Sequence, residues 1–368
     1  MKSAIASIPY RLRLLYEKFY SVHLVRISRH RDCKRNLRDK LKFHSKPLSP
    51  SQRDEILAYW NQYTPVKRHL RWFEFYHDTC PDSRQLKYYI PDSIHFADID
   101  FHFTSPRQSA QIDDKNLYDL YFHDVKRPET ILRKVGGELL DKDYRPVTAE
   151  QAMALYTQAG VVVSKAAKDA VGGHSIRFLD SKECSPADFI RFLENKDHIV
   201  VQRVLQQHET LNLIHRDSIN TIRIMTLLLD GQVHILSSVL RMGQNGARVD
   251  NASSGGLVCG IQDDGTLKEV AYDKNGNRRT EHPQGGAFKG IRLEGFDKCR
   301  DLVRRLAGRM CTTSRLISWD LSVDPSGDPV LIEVNLTYGE LDFHQLCNGP
   351  IFGHMTDKVL SRVFGEQN

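Results

Sequence analysis

Residues 317–335 read ISWDLSVDPSGDPVLIEVN. Two runs alternate with a period of two. In the first, Ile317, Trp319, Leu321 and Val323 oppose Ser318, Asp320 and Ser322; in the second, Val330, Ile332 and Val334 oppose Leu331, Glu333 and Asn335. Such alternation predicts half-buried strands, and DPSGDP between them is made of turn formers. The unit is therefore a hairpin. With the turn at 324–329, Val323 faces Val330, and counting back sets Asp320 opposite Glu333, with β-carbons about 5 Å apart. Like charges opposed in a sheet repel, and a bound cation would remove the conflict. Asp320, Glu333 and the amide of Asn335 on the same face are hard oxygen ligands, suited to magnesium shared with phosphates. The plainer alternative is an acidic hairpin whose carboxylates point to water.

Length and composition bound what surrounds this hairpin. A chain of 368 residues supports a large core and two or three structural units. Hydrophobic content of 40% and charged content of 27% are those of a soluble globular protein. No run approaches the roughly 18 apolar residues of a membrane span, and Pro9 and Arg11 interrupt the N-terminus too early for a signal peptide. Seven scattered cysteines without a CxxC spacing predict reduced thiols and a cytoplasmic setting. Residues 1–50 hold 13 Lys or Arg against 3 Asp or Glu, whereas the whole chain is only +6. The body is thus mildly acidic and the basicity is N-terminal, which argues against nucleic acid as a partner.

Residues 10–43 have helical periodicity, with Leu12, Leu15, Phe19, Val22 and Val25 on one face and Arg or Lys on the other. Such a helix either packs on its own domain or binds an anionic membrane or a protein partner. PLSPS at 47–51 reads as a linker, and the aromatic-rich stretch 53–80 as core. In QIDDKNLYDLYFHD, Asp113 or Asp114 can cap a helix with Lys115 in its first turn, a position that suits a lysine reaching for an anion. GVVVSK (160–165) is a buried-type strand ending in Lys165, followed by Gly172, Gly173, His174 and Ser175 as a flexible loop able to turn N–H groups towards phosphate. Neither a P-loop nor GxGxxG is present. Residues 220–243 form a long hairpin about Asp230-Gly231. A two-residue turn sets Arg223 opposite Ser238 and Asn220 opposite Arg241, so the two arginines fall on opposite faces unless a bulge intervenes. The glycine-rich stretch 244–256 follows, and a helix over roughly 297–310 leads back into the opening hairpin.

Taken in order, the DK pair, VVVSK with its glycine loop, VVQRV, NTIRI, VDNASSGG, HPQGG, SWD and IEVN resemble the ATP-grasp superfamily of carboxylate–amine ligases, and more narrowly its sugar-transfer associated branch. The resemblance covers about residues 88–352. It implies an α+β fold in which two subdomains grip ATP between antiparallel sheets; the basic helical N-terminal extension lies outside it. The expected divisions are 1–50 for the extension, 51–112 for an N-terminal lobe, 113–200 for a small subdomain with the phosphate loop, and 201–368 for a large subdomain with the metal and catalytic site.

At matching positions the resemblance implies that Lys115 and Lys165 contact ATP phosphates and that Gly172, Gly173, His174 and Ser175 close over them. Gln202, Arg203 and Val204 would edge the adenine, and Glu209 would meet the ribose. Asp320, Glu333 and Asn335 would hold two Mg2+ ions. Arg223, Arg241 and Asn251 would be catalytic, with Gly255, Gly256 and His282 on the substrate side. Gln202-Arg203 departs from the hinge acid of many relatives. The implied activity is ATP- and magnesium-dependent amide formation through an acyl-phosphate, on a carboxylate and an amine of polysaccharide biosynthesis. A kinase on the same fold, or a nucleotide-binding scaffold for glycosyltransferases, are the alternatives. The scattered cysteines and the basic helix together predict a cytoplasmic protein, or one peripheral at the inner face of the membrane, with residues 1–50 meeting an anionic surface or a glycosyltransferase.

Overall fold

The computed structural model describes residues 12, 15, 16, 19–79, 82–168, 175–250 and 255–365. The chain divides into two compact units, one of residues 1–106, 275–277 and 337–368, the other of 107–274 and 278–336.

Among its described residues the first unit is helical. The helix Val25–Lys40 continues a π-helical stretch, Tyr20–Leu24. It buries Arg29, Cys33, Leu37 and Lys40, whose steps of four, four and three residues keep them on a single helical face. Arg29 donates to the Phe96 carbonyl at 2.6 Å and lies between the rings of Phe101 and Tyr338, 4.4 and 4.3 Å from their centroids. Lys40 pairs with Asp342 at 2.6 Å. The helix thus docks through charged residues, whereas Leu12, Leu15, Phe19, Tyr20, Leu24 and Ile27 are exposed. Of the two roles open to a basic helix here, packing on its own domain holds for the part from Arg29 onward. Deleting residues 1–46 takes away core residues and is expected to abolish the cooperative melting transition of this unit. A deletion ending before Arg29 should keep it; calorimetry on the two truncations checks the boundary.

The next stretch differs from a linker. Ser49 caps the helix Pro50–Trp60, with Gln52 returning the bond to the Ser49 backbone N–H. Proline at the first helical position is as much a helix-start signal as a loop signal. Trp60, Trp72, Phe73, Phe75 and Tyr76 are core, as the aromatic pattern implies.

The second unit carries the sheets. A five-stranded sheet is ordered β2-β1-β5-β3-β4, from β1 (Thr130–Val135), β2 (Glu138–Leu140), β3 (Val161–Ala166), β4 (Arg177–Asp180) and β5 (Ile199–Arg203). The helices Ala149–Ala159 and Pro186–Glu194 share its core, and Tyr156 stacks on Phe189 at 4.1 Å. A seven-stranded sheet is ordered β10-β9-β8-β7-β6-β13-β14. Its strands are β6 (Thr221–Leu229), β7 (Gln232–Met242), β8 (Leu257–Ile261), β9 (Leu267–Tyr272), β10 (Arg278–Arg279), β13 (Leu316–Val323) and β14 (Pro329–Asn335). β11 (Glu281–His282) and β12 (Gly286–Ala287) form a small hairpin. The helix Phe296–Arg309 buries Cys299, Leu302, Val303 and Leu306 in the same core as Ile224, Trp319 and Leu331.

Both long hairpins form where the alternation places them, and each carries a bulge. Asp230 and Gly231 turn with φ of 49° and 78°, the positive pair that a two-residue type I′ turn requires. Leu236 is then accommodated as an extra residue opposite Met225 and Thr226, so Arg223 faces Val239 and Thr221 faces Arg241. In the other hairpin Val323 pairs with Pro329, one residue earlier than a turn at 324–329 predicts. A bulge between Asp320 and Leu321 takes up Ile332 and returns Asp320 to Glu333. The expected carboxylate pairing holds, by a different path.

Candidate active site

Asp320 lies on β13 between two partners, Arg223 on β6 and Glu333 on β14. Directly paired residues share a face of a sheet. The β7 bulge brings Arg241 to that face as well, because Arg241 is two residues from Val239, the partner of Arg223. The bulge is the exception under which the two arginines share a face. Arg223 Nε and Nη2 donate to Asp320 Oδ1 and Oδ2, each at 2.7 Å, and Arg241 Nη1 approaches Oδ2 at 3.4 Å. Asn335 Nδ2 donates to the same oxygen at 3.3 Å. Burial alone would raise the Asp320 carboxyl, but Arg223, Arg241 and Asn335 together hold it below the usual range. Glu333, half-buried, pairs with Lys115 Nζ at 2.6 Å. The expected repulsion between the two carboxylates is therefore not what the structure contains: each already has its own cation.

Lys115 reaches this point because its segment is anchored at both ends. Its backbone N–H donates to the Ala167 carbonyl just past β3 at 2.9 Å, and Asp114 caps the turn Lys115–Leu117. Lys168 pairs with Asp114 at 3.2 Å. Tyr118, in the following turn, donates its O–H to the Val334 carbonyl at 3.4 Å and accepts the Val334 N–H at 3.1 Å, fixing that turn against β14. Lys165 sits at the end of β3, where burial chiefly, with Lys115 adding, lowers its ammonium against the opposing pull of Glu333 and Asp250. Replacing Lys165 by methionine removes a buried charge. The apo protein should then melt no lower than the wild type while ATP affinity falls by roughly ten- to a hundredfold. Calorimetry with nucleotide titration measures both.

Asp250 and Thr221 belong to this cluster and were not singled out from the sequence. The Thr221 side chain hydrogen-bonds the Asp250 carboxyl, which burial raises and Arg241 pulls down; Asp250 Oδ2 has no hydrogen-bond partner. Both residues lie inside stretches already notable, VDNASSGG and NTIRI, but only the bulge in β7 reveals that they meet.

The other candidate residues make different contacts. Gln202 and Arg203 are in the ladder of β5, which runs between β1 and β3. The Arg203 N–H donates to the Glu129 carbonyl, and its guanidinium pairs with Glu129 at 2.6 Å. Val204 is the first residue beyond the strand. Glu209 is exposed and pairs with Arg216 at 2.9 Å. His282 Nε2 lies 2.7 Å from the Gly243 carbonyl, which orients the turn after β7, and burial lowers its imidazole. The Gly255 carbonyl accepts from Gln244, and Gly256 enters β8. Ser175 precedes β4. Gly172, Gly173, His174 and Asn251 lie outside the described residues.

A family model described as sugar-transfer associated ATP-grasp matches residues 189–360. The likeness to that family is thus carried by the segment 189–360, which holds β5 to β14 and the Asp320–Glu333 hairpin. No curated protein matches the chain. Among solved structures it is similar to D-alanyl-alanine synthetase A from Vibrio cholerae, at 13% identity and a TM-score of 0.45, covering 72% of this chain and 67% of the other. It is also similar to the ATP-grasp ligase PsnB complexed with minimal precursor, Mg and ADP, at 15% identity and a TM-score of 0.42, covering 71% and 62%. Biotin carboxylase from Campylobacter jejuni follows, at 13% identity and a TM-score of 0.45, covering 72% and 48%. The chain thus spans less than two thirds of the latter two proteins.

The donor set can be tested for magnesium on its own geometry. Among the described residues no group of three or more His, Cys, Asp or Glu is placed to hold a metal ion unaided. Asp320 Oδ1 accepts one hydrogen bond, and the Asn335 amide turns its nitrogen to Asp320, which leaves its oxygen available. These oxygens, with Glu333, fit a magnesium ion that arrives with nucleotide phosphates supplying its other ligands. Four cations (Arg223, Arg241, Lys115 and Lys165) gather with three carboxylates (Asp320, Glu333 and Asp250). That balance favours a polyanion.

Proposed function

We propose that the protein is an ATP-dependent carboxylate–amine ligase that activates its carboxylate as an acyl-phosphate. The observation that carries the reading is the single sheet face on which Asp320, flanked by Arg223 and Arg241, meets Glu333 and its partner Lys115. A carboxylate is a poor acylating agent because its leaving group would be oxide. Transfer of the terminal phosphoryl of ATP to a carboxylate oxygen breaks the bond to ADP and supplies a good leaving group. Charge then spreads over the transferring phosphoryl, where preorganised cations stabilise it without rearrangement. Lys115 and Lys165 bind the phosphates, and Arg241, which leads into the glycine-rich loop, meets the reacting phosphoryl. Asp320, Glu333 and Asn335 would hold magnesium, which when bound adds Lewis-acid neutralisation of the phosphate oxygens. The amine then attacks the carbonyl carbon, and phosphate leaves.

The family description supports a sugar acid, or an amino-acid-bearing precursor, of polysaccharide biosynthesis as the substrate. The test is hydroxylamine trapping with ATP, magnesium and a panel of sugar acids. A hydroxamate that depends on both ATP and one acid is expected. ADP release with a phosphorylated sugar and no hydroxamate would instead make the protein a kinase.

A further inference from the structure

The geometry points to the N-terminal helical segment as an in-plane anchor for an anionic lipid surface. This inference is independent of the proposed ligase activity. Leu15, Phe19, Leu24 and Ile27 recur at intervals of three to five residues and are between 43% and 62% exposed, so none is covered by the unit to which the helix belongs. Tyr16 and Tyr20, stacked at 6.4 Å, extend the same stripe. Aromatic rings with a polar tip favour the boundary between headgroups and acyl chains.

The following turns bury a different face, that of Arg29, Cys33, Leu37 and Lys40, so the helix is held to the protein at one end while its apolar stripe projects uncovered from the other. Along the docked part, Arg31, Lys34, Arg35 and Arg38 are all exposed. An apolar stripe followed by solvent-facing cations is the pattern of a helix that lies in an anionic interface.

Charge decides among occupants. Residues 1–50 carry a net +10 from 13 basic and 3 acidic residues. A second copy of this segment would bring the same charge against itself, whereas anionic headgroups neutralise it. No helix among the described residues is long and apolar enough to cross a membrane, so the segment would lie on the bilayer rather than span it.

The experiment is vesicle co-sedimentation of the full chain, on phosphatidylcholine alone and on phosphatidylcholine with phosphatidylglycerol. Binding to the anionic vesicles is expected, falling steeply with added salt, and little binding to the neutral ones. Leu15→Ser, Phe19→Ser and Ile27→Ser together should lower the partition coefficient by at least about a hundredfold. Arg31→Gln, Lys34→Gln, Arg35→Gln and Arg38→Gln should cost roughly fivefold for each charge removed. All seven positions are exposed, so both variants should keep the wild-type melting transition. If the full chain stays in solution with anionic vesicles at low salt, or if either variant binds as the wild type does, the inference is overturned. It is equally overturned if the chain self-associates, vesicles do not bind, and the apolar variant is monomeric; the stripe would then be an interface between copies.

Discussion

Asp320→Asn is expected to destabilise the apo protein by roughly 3–5 kcal/mol, because removing one partner strands a buried opposite charge. Here two guanidiniums are affected. Arg223 and Arg241 are each about 5% exposed and both approach this carboxylate. An asparagine offers one acceptor oxygen and no charge. Glu333→Gln provides the internal contrast. Glu333 is about a third exposed and pairs with a lysine, so its loss should cost at most about 1 kcal/mol. Chemical denaturation of the two variants beside the wild type measures the difference. Equal stability of wild type and Asp320→Asn would mean that the arginine pair is not held by Asp320. The result also bears on the simplest view of an acidic hairpin, in which deleting a carboxylate relieves repulsion; the structure predicts the opposite sign.

Arg241→Ala is expected to reduce hydroxamate formation by about a hundred- to a thousandfold, the loss typical of one preorganised donor at a developing negative charge. ATP affinity should stay within a few-fold of the wild type, since Lys115 and Lys165 remain. Asp320 keeps its bidentate partner Arg223 in this variant, so the fold should persist, which circular dichroism verifies. Unchanged hydroxamate formation would remove Arg241 from the reacting phosphoryl. Loss of nucleotide binding at intact fold would make it a nucleotide-binding residue instead.

Much of this site was legible in the sequence because alternation with a period of two fixes which side chains share a face. The two strands of the Asp320–Glu333 hairpin follow from that rule, although their register is restored only by a bulge that offsets a shorter turn, and the turn at Asp230-Gly231 follows from its dipeptide. A bulge is what the rule does not foresee. One extra residue in a strand inverts the facing of everything beyond it, and nothing in the side chains of Leu236 or Ile332 marks either as extra. The β7 bulge is why Arg223 and Arg241 converge and why Thr221 and Asp250 went unnoticed. The docking face of the opening helix escapes the pattern for a related reason. It is made of Arg29, Cys33, Leu37 and Lys40, and hydrophobic periodicity cannot find a face that packs through cation–π contacts and ion pairs.

The most direct measurement of the ligase account follows the oxygen of the carboxylate substrate. If the acid is labelled with heavy oxygen in its carboxyl group and turned over with ATP and an amine, the account predicts that released inorganic phosphate carries one labelled oxygen. Acyl-phosphate formation makes the carboxylate oxygen the bridging atom, and attack by the amine expels it with the phosphate. Turnover that yields amide with wholly unlabelled phosphate, or a phosphate ester in place of inorganic phosphate, would contradict the account.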